Sequence, residues 1–158
     1  MRYHKRVLGN LYVSIYRSKG GKARRLTHDH KPYEDVELKR IEKSGGYVAL
    51  GKKMIKIGIC GNVTNKGRVM GMLAVSRAFG DFEMKQWVSV EPYQHNTIVN
   101  DNEIMIIGCD GLWDVVSDQE ALIIASDCEN AQEMAQTLVR EALRRGSTDN
   151  VSVVTVIF

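Results

Sequence analysis

From Leu8 to Ser18 apolar and polar residues alternate, with Leu11, Val13 and Ile15 on one face and Tyr12, Ser14 and Tyr16 on the other. That period of two predicts a strand. Lys19-Gly20-Gly21 carries turn chemistry and Lys22 to Leu26 returns as a second strand, so the segment reads as a β-hairpin. Pro32 opens a predicted helix that carries Val36, Leu38 and Ile41 and ends at Gly45-Gly46. Residues 47–71 show no clear period and hold Gly51, Gly58, Gly61, Gly67 and Gly71, which predicts a long loop or flap. Met72 to Asp81 fits a short helix or a strand entering a turn at Gly80, and Val88 to Pro92 reads as a strand.

The second half is patterned more sharply. After a turn at Asn100-Asp101-Asn102, the apolar run Ile104 to Ile107 predicts a buried strand that stops at Gly108 and Cys109. Ser117 to Glu120 is a capping box opening a helix through Ala121, Leu122 and Ile124. Asn130 to Glu133 repeats that logic. The helix it opens places Ala131, Met134, Ala135, Leu138, Val139, Ala142 and Leu143 on one face, a core-facing stripe. Gly146 ends it, Ser147 to Asn150 forms a polar loop, and Val151 to Phe158 is a β-prone final strand. There is no internal repeat, low-complexity segment or interdomain linker.

Composition narrows the class without naming it. At 158 residues, 44% apolar and 26% charged, the chain suits one soluble α+β domain. No apolar run approaches the roughly 20 residues of a membrane helix. Cys60, Cys109 and Cys128 fit neither a disulfide framework nor a C-x-x-C zinc site, so a reducing compartment, cytoplasm or nucleus, is expected. The net charge of +3 is uneven: the first 28 residues hold eight bases and no acid, while the rest hold 14 bases against 19 acids. We read the basic segment as a solvated hairpin face; no aromatic-interleaved module supports nucleic-acid binding.

The candidate chemistry centres on Asp110. An acid at the end of a buried strand is costly to desolvate unless a base, a helix N-terminus or a metal ion neutralises it, and we read Asp110 as a metal ligand. Asp114 lies four residues on, and Asp149 sits on a second loop beside a β-prone strand. Carboxylates on such loops are hard oxygen ligands suited to Mg²⁺ or Mn²⁺. His28-Asp29-His30 invites a metal too, but with no further His or Cys nearby it reads as a hydrogen-bonded loop. Arg77 could bind a phosphate through its guanidinium, or pair with Asp81 at helical spacing. Gly61 to Gly67 followed by Arg68 does not make a Walker-type phosphate loop.

The residues flanking these acids carry a resemblance. Leu26-Thr27 with Asp29-His30-Lys31-Pro32, Glu37 with Arg40-Ile41 and Gly45-Gly46, Arg68-Val69, and LAVSRAFGD at Leu73 to Asp81 come in order. CDGLWDV at Cys109 to Val115, Gln119-Glu120, and STDNVS at Ser147 to Ser152 come after them. Together they resemble the metal-dependent protein serine/threonine phosphatases of the protein phosphatase 2C type, over nearly the whole chain. The resemblance implies a layered sandwich of two mainly antiparallel sheets flanked by helices. It implies two divalent metals, Mg²⁺ or Mn²⁺, at one end of the sandwich, bridged by a hydroxide that attacks a phosphomonoester directly. It makes Asp110 and Asp149 metal ligands, Asp114 a ligand of a further, weaker metal, and residues 33–67 a variable flap. The implied partners are phosphoserine and phosphothreonine proteins, with no membrane.

The departures are as specific as the matches. The resemblance gives the family's N-terminal half a phosphate-binding Arg, a Glu-Asp pair and an Asp-Gly-His block, and none of these N-terminal blocks is in this sequence. The Gly-Asp-Ser-Arg block stands here as Gly9-Asn10-Leu11-Tyr12, and Asn10 lacks the negative charge. Two or three carboxylates without the bridging acid cannot hold two cations close together, because the cations' repulsion goes uncompensated. This leaves two expectations. Residues 1–158 are the C-terminal part of a phosphatase domain that recruits its missing half or self-associates, or they form a pseudophosphatase acting as a binding or scaffold module.

Overall fold

The computed structural model describes residues 2–7, 12–16, 21–49 and 67–158, which form two compact units. The first, 1–28 with 93–158, is built on a four-stranded antiparallel sheet. Its strands are β2 (Tyr12–Tyr16), β3 (Arg24–Arg25), β7 (Ile104–Gly108) and β8 (Val153–Ile157), in the order β3-β2-β7-β8. The predicted hairpin is present as the antiparallel pair Ser14 with Arg25 and Ile15 with Arg24; of its expected turn, Lys19 and Gly20 lie outside the described residues. A separate antiparallel ladder joins β1 (Arg2–Val7) to β6 (Tyr93–Ile98), in register from Arg2 with Ile98 to Val7 with Tyr93. The unit is thus mixed α+β.

Strand β7 is buried on both faces, as its unbroken apolar run requires. Ile104 and Ile106 face a core with Leu112, Val116, Leu122, Met134 and Leu138, while Met105 lies with Leu26 and Val99 on the other side. The helical side comes from α3 (Asp118–Ser126) and α4 (Ala131–Arg144). The stripe expected on α4 is narrower than the sequence pattern. Met134, Leu138 and Ala142 are buried, but Leu143 is exposed, because the sheet covers only one line of the helix. On the edge strand β8, Val154 and Ile157 remain exposed.

The helix ends obey their caps. Ser117 accepts the Glu120 N–H while Glu120 accepts the Ser117 N–H, and the Asn130 side chain accepts the Glu133 N–H. Hydrogen bonds from the Ser117 hydroxyl and N–H and from Arg145 hold the Glu120 carboxyl at about 2. Arg145 also donates to Glu141 and to the Val115 carbonyl, tying the end of α4 to the segment after Asp114. Ser117→Ala removes one cap of a helix that packs Ala121 and Leu122 into the core. It should cost about 1 kcal/mol, seen as a lower urea midpoint with an unchanged slope; an unchanged midpoint would mean the box is ornamental.

The second unit, 29–92, holds α1 (Asp35–Lys43) and a short antiparallel pair, β4 (Val48–Ala49) with β5 (Arg68–Val69). Residues 50–66, the centre of the expected flap, lie outside the described residues. Three expectations are corrected here. Pro32 is fully buried ahead of the helix, whose N-cap is Glu34, and the inward face carries Glu37 and Ile41 while Val36 is 74% exposed. Met72 to Asp81 is neither helix nor strand. It is held by isolated bridges, Val69 to Leu73 and Arg77 to Ser89, with Asp81 in a left-handed conformation before a 3-10 turn at Phe82–Met84. The strand expected at Val88 to Pro92 is only the Ser89 bridge; continuous pairing starts at Tyr93. Ile41, Val69, Met84 and Val88 form this unit's core.

Candidate functional site

Strand β7 ends at a residue that has no room for a side chain. A Cβ on Gly108 would lie 2.8 Å from Leu112 Cδ2 and 2.9 Å from Trp113 Nε1, and that indole donates to the Gly108 carbonyl at 3.0 Å. With Gly108 bare, the chain turns at Cys109 into α2 (Asp110–Trp113), a single helical turn where the sequence pattern predicts a loop. The Asp114 N–H donates to the Asp110 carbonyl at 2.9 Å. The two acids are thus four residues apart on one turn, the spacing at which helical side chains are neighbours.

The loop after α4 returns onto this turn. Ser147 Oγ donates to the Gly111 carbonyl at 2.7 Å, and the Cys109 N–H donates to the Ser152 carbonyl at 3.2 Å. The Cys109 thiol donates to the Asn150 carbonyl at 3.0 Å and accepts the Ser152 N–H at 3.2 Å. The approach is so close that a Cβ on Gly111 would lie 2.2 Å from the Asn150 carbonyl oxygen. Residues 109–111 and 147–152 are therefore held together by one backbone bond and three side-chain-to-backbone bonds, with Asp110 on one segment and Asp149 on the other. Asp149 Oδ1 accepts the Asn150 N–H at 2.7 Å.

Among the described residues no basic side chain forms an ion pair with Asp114 or Asp149, while Arg25, Arg144 and Arg145 are engaged by Asp118, Glu120 and Glu141. Carboxylates gathered on two clamped segments make a donor set for a hard cation. Among the described residues, however, no cluster of three or more His, Cys, Asp or Glu side chains is assembled for a metal. Asp110, Asp114 and Asp149 offer hard oxygens of the kind Mg²⁺ or Mn²⁺ takes, but by themselves they do not assemble such a cluster.

Arg77 lies in the other unit and is committed there. Its Nε and Nη2 donate to Glu37 Oε1 at 3.1 and 2.5 Å, and its Nη1 donates to the Glu91 carbonyl at 3.0 Å. Pairing with Asp81 does not occur, since no helix links the two. Arg40 completes the cluster, donating to Glu37 Oε2 at 2.8 Å and to the carbonyls of Ser76 and Trp87. Glu37 is 1% exposed. Burial pushes its carboxyl up, but hydrogen bonds from Arg77, Arg40 and Ser76 outweigh this and hold it at about 2. Sequence reasoning missed this cluster: Glu37 and Arg40 show i, i+3 spacing, but nothing local marks Arg77, 40 residues on. Of the His28-Asp29-His30 loop, His30 offers its carbonyl to the Ser76 hydroxyl at 2.8 Å. Asn10 lies outside the described residues.

The family profile described as protein phosphatase 2C matches residues 13–151. The chain is 40% identical over 142 residues to the Arabidopsis thaliana "Probable protein phosphatase 2C 69". It is 36% identical over 150 residues to "Protein phosphatase 2C homolog 1" of Saccharomyces cerevisiae. Those alignments take in 89% and 94% of this chain but only 36% and 47% of the relatives. The solved structure of serine-threonine phosphatase 2C from Toxoplasma gondii superposes with a TM-score of 0.79 at 28% identity, covering 99% of this chain and 54% of that one. The profile match over residues 13–151, with an α+β frame that superposes on such a phosphatase, defines the class. The chain belongs to the protein phosphatase 2C family, the metal-dependent protein serine/threonine phosphatases, and spans about half or less of the length of the curated relatives it matches.

Proposed function

We propose that these residues supply the C-terminal share of a metal-dependent protein serine/threonine phosphatase site, with Asp110 and Asp149 as ligands of Mg²⁺ or Mn²⁺ and Asp114 as the weaker one. The observation that carries this reading is the clamp between residues 109–111 and 147–152, which brings two acid-bearing segments together. Bound cations would supply an activated water and offset charge on the phosphoryl oxygens. The chain's own part is to present hard oxygens from fixed backbone. Arg77 enters as an anchor of the second unit, since Glu37 and Glu91 take three of its five N–H groups.

The remaining donors, including the acid that bridges the metals, have to come from outside these 158 residues, because the sequence lacks them. The exposed Val154 and Ile157 on edge strand β8 support recruitment of complementary strands or of a second copy, in a two-sheet sandwich. The substrates in this reading are phosphoserine and phosphothreonine proteins. In a longer chain carrying the family's other blocks, Asp110→Asn or Asp149→Asn should abolish Mn²⁺-dependent hydrolysis of a small aryl phosphate while leaving the thermal midpoint within a few degrees. Hydrolysis that survives either change removes that residue from the site. A longer chain with no metal-dependent hydrolysis at all points to the scaffold reading.

A further inference from the structure

The Cys109 side chain makes two directional contacts with the segment that carries Asp149. Its Sγ–H points at the Asn150 carbonyl at 3.0 Å, and its sulfur takes the Ser152 N–H at 3.2 Å. The same residue's own N–H reaches the Ser152 carbonyl at 3.2 Å. Cys109 is the residue before Asp110, and Asn150 is the residue after Asp149. One side chain therefore ties the backbone beside each of the two acids. The thiol is half-buried and unpaired as a disulfide. Thiols are weak donors and weak acceptors, so the bonds count as geometry more than as stability.

We propose that Cys109 is a positioning residue for the metal-ligand pair: its thiol sets the place of the Asp149 loop relative to Asp110. This rests on the metal-site reading above. Ser147, bonded to the Gly111 carbonyl, pins the other end of the loop. With only that pin and the backbone bond left, residues 148–151 gain freedom, and both carboxylates would have to be ordered when a cation arrives. The groups that orient metal ligands are typically worth about 10- to 100-fold in metal affinity.

A half-buried cysteine can also act simply as a small apolar side chain, and three variants separate the two roles. Cys109→Ser keeps a donor and an acceptor, Cys109→Val keeps the bulk and loses both, and Asp110→Asn controls for the site itself. The readout is Mn²⁺ affinity, from the spin-resonance signal of free Mn²⁺ on titrating the longer chain that carries the family's other blocks, with folding checked by circular dichroism. We expect Cys109→Ser to bind within about threefold of the parent and Cys109→Val to bind about tenfold more weakly. Parent-like affinity in Cys109→Val, or equal loss in both variants, overturns the proposal. If Asp110→Asn binds Mn²⁺ as the parent does, the metal-site reading falls and the proposal with it. If Asp110→Asn loses binding and Cys109→Val does not, only the proposal falls.

Should Cys109→Val fail to fold, the parent protein decides. Its Ser152 amide must be protected from hydrogen exchange, and Mn²⁺ must broaden the amide resonances of Asp110 and Asp149 at the same added concentration. A freely exchanging Ser152 amide, or broadening of one acid without the other, overturns the proposal.

Discussion

Gly111→Ala should weaken Mn²⁺ binding by at least about tenfold and destabilise the first unit, although alanine is the better helix former. The competing effects can be weighed. In an exposed helix interior the exchange would gain about 1 kcal/mol. Here the new Cβ would lie 2.2 Å from the Asn150 carbonyl oxygen and 2.9 Å from its carbon, and both atoms are backbone. A flexible side chain could swing aside; this carbonyl is held by the Cys109 thiol and lies just ahead of β8. Overpacking of this kind costs about 1–3 kcal/mol, so the net sign is loss. Relief requires moving residues 147–152 off residues 109–111, which separates the Asp149 segment from the Asp110 turn. Gly80→Ala is the matched control: no atom lies within 4 Å of its new Cβ, and the change should be close to neutral. Thermal melts and Mn²⁺ titration of both variants, each in the longer chain that carries the family's other blocks, provide the check. A Gly111→Ala protein that melts and binds like the parent would show that the clamp yields freely.

What the sequence makes legible here is what is local. The run Ile104 to Ile107, the capping box at Ser117 and the β-prone stretch after Val151 each encode their element within a few residues, and each appears in place. The single turn of helix at Asp110 is not legible in this way, because it depends on Gly108 being bare beneath Leu112 and Trp113. The ladder between β1 and β6 joins residues more than 80 positions apart, and no short-range pattern specifies it. Residues 72–92 have no period because isolated bridges and side-chain bonds to backbone, such as Arg40 to the Ser76 and Trp87 carbonyls, hold them.

The candidate site divides along the same line. Asp110 stands out as an acid on a buried strand's end, a statement about cost that needs no partner. Its association with Asp149, 39 residues on, came from the family resemblance. The contacts that make the association physical, through Cys109, Gly111 and Ser147, involve small side chains that look ordinary in a sequence. On α1 the hydrophobic pattern misleads: Val36 faces solvent and Glu37 is buried, because the burial of a charge is decided by two arginines, one of them 40 residues away.

That buried charge carries the other large effect. Arg77→Ala should cost the second unit about 3–5 kcal/mol, the usual result of removing one partner from a buried pair and leaving the other charge. The magnitude is at the high end for a single substitution because Glu37 is 1% exposed and cannot turn to water. Arg77→Lys should recover only part of the loss, since an ammonium cannot reproduce the two bonds to Glu37 Oε1 together with the one to the Glu91 carbonyl. The pH dependence has a definite sign. The Glu37 carboxyl sits at about 2 in the fold against an ordinary value of 4.5, so the folded state binds the proton less readily than the unfolded chain. Its contribution is present in full above pH 4.5 and is lost as the pH falls from 4.5 towards 2, about 3 kcal/mol in all. In Arg77→Ala only Arg40 and the Ser76 hydroxyl still face the carboxylate, so stability should start lower at pH 7 and fall less steeply over the same range. Hydrogen exchange of the α1 amides at pH 7 and pH 3 reads both effects, with the α4 amides as the reference from the other unit. If α1 protection at pH 7 is the same in Arg77→Ala as in the parent, the cluster does not hold this unit together.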